Sequence, residues 1–411
     1  MSAAQDLPDN VPAATRRSIL LLSTATFSSM VTQRICDAML PELSRVFAVG
    51  LSTAAQVVSV FAITYGVCQL VFGPLGDRLG KYRIVTLCAF FCSVGSLVAA
   101  LAGSLDALLF ARMLTAVGAA GMIPLAMAWV GDSVPTERLQ EMLTKTGLGS
   151  TLGLVIGQLL GGLLTDAFGW RWCFAFLTLL FAGVGTLLCT DLRRQGITLL
   201  PQRKHAGAQA VQAVAHSGFV RQAWQIASAP WPRIVLSMAV VEGAVGFGVL
   251  AIWASHLHNK LGLSLSVAGA IVSLFGLGGM LYMLLGRRLI ARFGQQGLVM
   301  LGGAVLGACA CLIAYTPHWL PAVPASLLAG FGFFMFHNTM QTAATSMSTV
   351  NRGTSVSLFS SALFLGQSIG VVLAASLIGL IGSSAVIAGG GAMMALEGVF
   401  FAWALRRRAA H

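Results

Sequence analysis

Arg34 and Asp37 stand three residues apart in a stretch, Ser18 to Pro41, that carries no other charge. On a helix they share a face. They form either a structural ion pair or a site for a charged or protonated group. Arg112 lies a few residues into a second apolar run. There it either snorkels to a polar boundary, keeps a nearby carboxylate charged, or binds an anionic solute. Glu242 lies about eleven residues into a third run, in "VVEGAVGFG", with no cation beside it in sequence. A carboxyl group taken out of water favours its protonated form, which suits it to carry a proton. His337, Asn338 and Gln341 occupy a further apolar run and could line the same pocket; a histidine there is also a common packing residue. Glu397 sits mid-run near the C-terminus and reads as structural, and Gln158 and Gln367 can bond across helices. Ionisable groups in such runs cost at least a few kcal/mol, so each is a functional candidate.

The elements that must hold these residues follow from composition. Of 411 residues, 57% are hydrophobic and 9% charged, against roughly a quarter charged in soluble domains. An apolar helix crosses a bilayer in roughly 20 residues, so the chain reads as an all-α membrane bundle. The net charge of +12 is spread in short clusters between apolar runs, a topological pattern and not a nucleic-acid surface. The eight cysteines fall almost all within apolar runs, as small hydrophobes with no metal or disulfide pattern. The polar N-terminus ends in Arg16 and Arg17, and the apolar run after it reads as an uncleaved first span.

Twelve spans are expected, near 18–40, 53–73, 84–104, 108–130, 144–165, 172–190, 234–256, 264–286, 297–315, 321–343, 355–380 and 384–405. They divide into an N-terminal tail (1–17), a six-helix bundle (18–190), a linker (191–233), a second six-helix bundle (234–405) and a C-terminal tail (406–411). With the N-terminus inside, twenty of the 25 Lys and Arg residues fall on the cytoplasmic side, which fixes the orientation with both termini cytoplasmic. The linker is basic and weakly amphipathic around Val211, Val214, Val220 and Trp224, as a tether on the inner leaflet would be. The halves also repeat: "GDRLGKYR" has a worn counterpart in "ARFGQQG", and Gly153 and Gly157 correspond to Gly366 and Gly370. Two pseudo-symmetric halves rocking about a central site are built this way.

The stretch "FGPLGDRLGKYR" places Gly73, Asp77, Arg78, Gly80 and Lys81 between spans two and three. Their spacing and place resemble the signature loop of the major facilitator superfamily, and the twelve-span duplication extends the resemblance over essentially the whole chain. "ARMLTAVGAAG" resembles the family's fourth-helix motif, with Arg112 as its arginine. "GLGSTLGLVIGQLLGGLLTDAFGWRW" resembles the fifth-helix motif of proton-driven exporters, with Gly157-Gln158 where the family has Gly-Pro. Asp37 followed by Pro41 is similar to the first-helix pattern of drug–proton exporters.

The resemblance implies a secondary transporter of the bacterial inner membrane, a cavity lined by spans one, four, seven and ten, and proton-coupled efflux of a small organic solute. Proton-coupled uptake is the alternative. Expected partners are the solute, protons and lipid, with no cofactor, no metal and no nucleic acid, acting as a monomer. Glu242 and Asp37 are the proton-coupling candidates; Arg34, Arg112, His337, Asn338 and Gln341 are the cavity candidates. Asp77 is expected at the positive N-terminal end of span eleven and Lys81 on Asp132, both contacts tying the halves together and favouring the outward-open state. Gly149, Gly153, Gly157 and Gly161, one turn apart, offer a smooth helix-packing face, either sliding on the opposite half or packed within its own. No phosphate-binding loop, nucleophile elbow or zinc-protease motif is present, which speaks against an enzyme.

Overall fold

The computed structural model describes residues 12–199, 218–348 and 352–409. The first bundle holds α1 (Ala13–Arg34), α2 (Leu51–Leu79), α3 (Lys81–Ala100), α4 (Leu105–Ser133), α5 (Thr136–Phe168) and α6 (Trp170–Arg194). In the second, α7 (Pro230–Leu261) precedes a helical run, Leu265–Tyr315, broken at Gly294 into α8 (265–293) and α9 (295–315). Then come α10 (Ala322–Thr345) and a helix, Arg352–Ala409, that contains α11 (352–381) and α12 (383–409). At ~1.5 Å per residue a straight helix of 51 or 58 residues would far exceed a ~30 Å hydrocarbon layer. Each must therefore fold back on itself.

The reversals occur at single glycines. α2 turns into α3 at Gly80 (φ 91°), and α8 turns into α9 at Gly294 (φ 63°). α5 turns into α6 at Gly169 (φ 93°), and α11 into α12 at Gly382 (φ 81°). Positive φ of this kind is open to glycine at little steric cost. The same two hairpins of each bundle use the same device, so the duplication read from sequence is present in the backbone.

All twelve expected spans are found, with ends moved by local chemistry. α1 stops at Arg34, and a short helix, Leu40–Val46, starts with Pro41 in its first turn. Proline has no N–H to give and suits that position. α7 is not continuous: Pro230–Glu242 leads into a π-helical turn, Gly243–Gly248, before Trp253–Leu261. Among the described residues eight helical runs are long and apolar enough to cross a membrane, two of them being the paired runs above. α1 and α10 are 22 and 24 residues long but more polar, because they carry the Thr, Gln, Arg, His and Asn side chains of the interior. The linker contributes a helix at Phe219–Ser228, with Trp224 exposed; Val211 and Val214 lie outside the described residues.

The bundles meet along α2–α11 and α5–α8. Ser52 Oγ and Ser376 Oγ are 2.8 Å apart, Ser59 Oγ and Ser368 Oγ 2.7 Å, and Ser361 Oγ donates to the Gly66 carbonyl at 2.7 Å. On the other seam, the Ser266 amide and hydroxyl both donate to Asp166 Oδ2 at 2.6 Å, and Thr151 approaches Met283 Sδ at 3.9 Å. These contacts lie on the side away from the chain ends and reach only part of the way toward them. On the tail side, which carries both ends, Gly73 of α2 and Gly353 of α11 face open space. The described contacts between the halves thus gather on the side away from the chain ends.

Candidate functional site

The polar residues that sequence singled out gather near the middle of the fold in two clusters, one per bundle. In the first, Arg34 and Asp37 are both fully buried, with Nη1 3.4 Å from Oδ2. Gln158 of α5 donates to the same carboxylate oxygen at 2.9 Å, so the residue standing where the family has proline anchors Asp37. Arg34 Nε and Nη2, Asp37 Oδ1 and both polar atoms of the neighbouring Gln33 have no partner among the described residues. Arg112 is also fully buried: Nη1 donates to the Thr32 carbonyl at 3.0 Å, Nε to the Val57 carbonyl at 3.3 Å, and its guanidinium lies 4.1 Å from the Phe61 ring centre. It is not a snorkelling residue, because burial and these carbonyls hold it between α1 and α2.

In the second cluster, Glu242 is fully buried where α7 gives way to its π turn. Its Oε1 is 2.6 Å from His337 Nδ1, and Oε2 has no partner among the described residues. The imidazole stacks on Phe333 (5.5 Å, 11°), with Phe247, Phe334 and Phe359 around it. Such an apolar box strengthens the hydrogen bond between the Glu242 carboxyl group and the imidazole. Asn338 is half-buried beside Tyr282 of α8, while Gln341 is exposed nearer the tail side. The structure therefore joins Glu242 to His337 and leaves Gln341 outside the cluster.

One register shift relates the bundles. The backbone of Phe27 lies against Gly153 and that of Val31 against Gly157, just as Val240 lies against Gly366 and Ala244 against Gly370. Carried further, the shift places Glu242 where α1 has Ser29, and Phe247 where α1 has Arg34. These last two touch: the Arg34 guanidinium sits 4.3 Å from the Phe247 ring centre. The contact joins α1 to α7 across the pseudo-twofold axis. Sequence did not single out Phe247, since a phenylalanine in an apolar run carries no signal of its own.

One open alternative about the interface is decided and one expectation is corrected. The glycines Gly149, Gly153, Gly157 and Gly161 face the backbone of Ser23, Phe27, Val31 and Ile35 on α1, so this face packs within the first bundle and does not slide on the second. The residues of α5 that meet α8 are instead Leu154, Val155, Gln158 and Gly162, against Gly276, Gly269 and Leu265. Lys81 does pair with Asp132, at 2.6 Å, and also with Asp77, at 2.7 Å. Both partners belong to its own bundle, so the Lys81–Asp132 contact cannot tie the halves. The Asp77 side chain is 65% exposed, and its bond among the described residues is the one to Lys81.

A cavity of about 520 Å³ lies between α1 and α5 toward the tail side, with Ile19, Phe27, Met142 and Leu152 on its walls and Arg16 and Lys145 in its lining. No group of His, Cys, Asp and Glu able to hold a metal occurs among the described residues.

Known proteins agree with this arrangement. The profile described as Major Facilitator Superfamily matches residues 22–350 and again 235–411. The chain is 22% identical over 310 residues to the uncharacterized MFS-type transporter YwfA of Bacillus subtilis (strain 168), covering 75% of this chain and 72% of that one. It is 31% identical over 169 residues to the putative multidrug resistance protein MdtD of Escherichia coli O17:K52:H18, covering 41% of this chain and about a third (35%) of that protein. The structure of a bacterial homolog of the human lysosomal transporter Spinster, inward-facing and unoccupied, superposes with a TM-score of 0.70 at 17% identity over 96% of each chain. The duplicated six-helix bundles and the profile matches that together run from residue 22 to 411 establish that this chain belongs to the Major Facilitator Superfamily of multi-pass membrane transporters.

Proposed function

We propose that the protein exports a small, largely apolar organic solute across the bacterial inner membrane in exchange for protons. Its tails are cytoplasmic, and residues 18–190 rock against 234–405 by alternating access. The observation that carries this reading is the buried Glu242–His337 pair on the broken span α7, with a carboxylate oxygen to spare. A carboxyl group at that place can take a proton when one face is open and release it to the other. Asp37, held between Arg34 and Gln158, is the second coupling candidate. With cytoplasmic tails, the present conformation is inward-facing, and the apolar cavity between α1 and α5 is where a solute from the cytoplasm or inner leaflet would enter. The likeness to MdtD, and to the probable multidrug resistance protein EmrY of Escherichia coli (28% identical over 155 residues), supports export over uptake.

Proteoliposomes test it. An outward movement of a lipophilic dye coupled to inward proton flux is expected, and Glu242→Gln should abolish accumulation against a gradient while dye binding persists. Dye and protons moving in the same direction would identify an uptake symporter instead.

A further inference from the structure

Behind the Glu242–His337 pair stands a third titratable group that sequence treated as packing. Glu397, midway along α12, is 5% exposed, and neither carboxyl oxygen has a partner among the described residues. It lies within electrostatic reach of Glu242 and beside that residue's backbone. The neighbouring contacts fix the register: Val249 lies against Gly390 on one side of the pair, and Trp231 stacks on Phe401 at 6.0 Å on the other. Glu397 thus lies on the stretch of α12 that packs along α7, level with the Glu242–His337 pair.

The surrounding elements offer little charge to offset them. α8 brings Tyr282, beside Asn338; α9 packs on α12 through Val299 and Gly303, neither of them charged; α11 brings the uncharged Gln367. The arginines of α12 are engaged at its tail end, Arg406 on Gln296, Arg407 over Trp403, and Arg408 on Ser346 and Trp231. Arg233 of α7 is exposed. Arg34 approaches only as far as the outer face of Phe247, whose ring edge meets His337. No Lys or Arg bonds either glutamate among the described residues. One imidazolium can match one carboxylate; a second buried negative charge would stand alone at a cost of several kcal/mol.

We propose that Glu397 is a second proton-holding residue of the transport cycle, in series behind Glu242. The inference rests on the coupling role proposed for Glu242 and extends it to α12. In the inward-facing form His337 occupies Oε1 of Glu242 and leaves Oε2 free to exchange a proton. One proton passes from Glu242 Oε2 to a carboxylate oxygen of Glu397, and the negative charge passes to Glu242, where His337 faces it; His337 keeps its proton count. Glu397 then holds that proton away from the solute pathway while the bundles change places, and returns it to the Glu242 carboxylate afterwards.

Infrared titration and pH-dependent flux of the full-length protein test this. Glu397→Gln should remove a titrating protonated-carboxyl band and displace the pH profile of dye-driven proton flux by about one unit or more, the size of effect a neighbouring buried charge produces. Glu242→Gln should keep the Glu397 band but move its midpoint, because the adjacent charge is gone; this arm stands even if Glu397→Gln does not fold. A Glu397→Gln protein with the wild-type band and pH profile, or a Glu242→Gln protein with an unmoved midpoint, overturns the inference. If Glu242→Gln still accumulates dye, the coupling reading falls and this one with it. If Glu242→Gln is inactive while Glu397→Gln behaves as wild type, only the role of Glu397 is lost.

Discussion

Each bundle supplies one half of a contact that joins α1 to α7 across the pseudo-twofold axis: an arginine from α1 and the phenylalanine at its equivalent place on α7. A desolvated cation–π contact is worth about 2 kcal/mol, which shifts a two-state equilibrium roughly thirtyfold. Phe247→Leu should keep an apolar side chain of smaller volume, lose that attraction and populate the outward-open form; spin-label distances between the outer ends of α1 and α7 would report it. An unchanged distance distribution would assign closure to the serine seams alone. Arg34, Asp37 and Arg112 could be found from sequence because charge in an apolar run is conspicuous. Their partners could not. The Thr32 and Val57 carbonyls and Gln158 come from three helices, and only packing brings them to a common point.

At the level of elements, glycine does two different jobs. Gly294 takes a conformation, φ 63° and ψ 177°, that side chains avoid, at a cost of roughly 1–3 kcal/mol. Gly294→Ala should lower the melting temperature accordingly. Gly157 is helical but lies on α1, where a Cβ would meet the Val31 carbonyl at 2.8 Å and Val31 Cα at 3.0 Å. Gly157→Ala should cost about 1–3 kcal/mol through enforced separation of the helices, measured by melting in detergent. Gly183, with open space around it, is the control: alanine there should be neutral or slightly stabilising, because it has the better helix propensity. The one-turn spacing of the glycine stripe was legible in sequence. Which helix it packs on was not, since any helix of small residues satisfies the same pattern.

For the whole molecule, the outer seam is the device that can be locked. Ser52 and Ser376, with hydroxyls 2.8 Å apart, suit a disulfide. A Ser52→Cys/Ser376→Cys pair, with the eight native cysteines replaced, should lose transport on oxidation and regain it with a reductant. Flux that survives the cross-link would contradict rocking about this seam. Asp77→Asn should leave the inward-facing form intact, because the carboxylate is exposed there, and should depopulate the outward-open form if its α11 contact belongs to that state; the same spin-label distances measure this. The sequence alone determined the span count, the duplication and the family resemblance, because hydrophobic length, charge placement and glycine turns are local properties that survive without knowledge of neighbours. Only the tertiary structure decided that Lys81 and Asp132 pair inside one bundle, that the α5 glycines bed on α1, that Phe247 faces Arg34 and that Glu397 stands behind Glu242. Those facts depend on which helix faces are brought together, and a run of apolar residues around each group leaves that choice open.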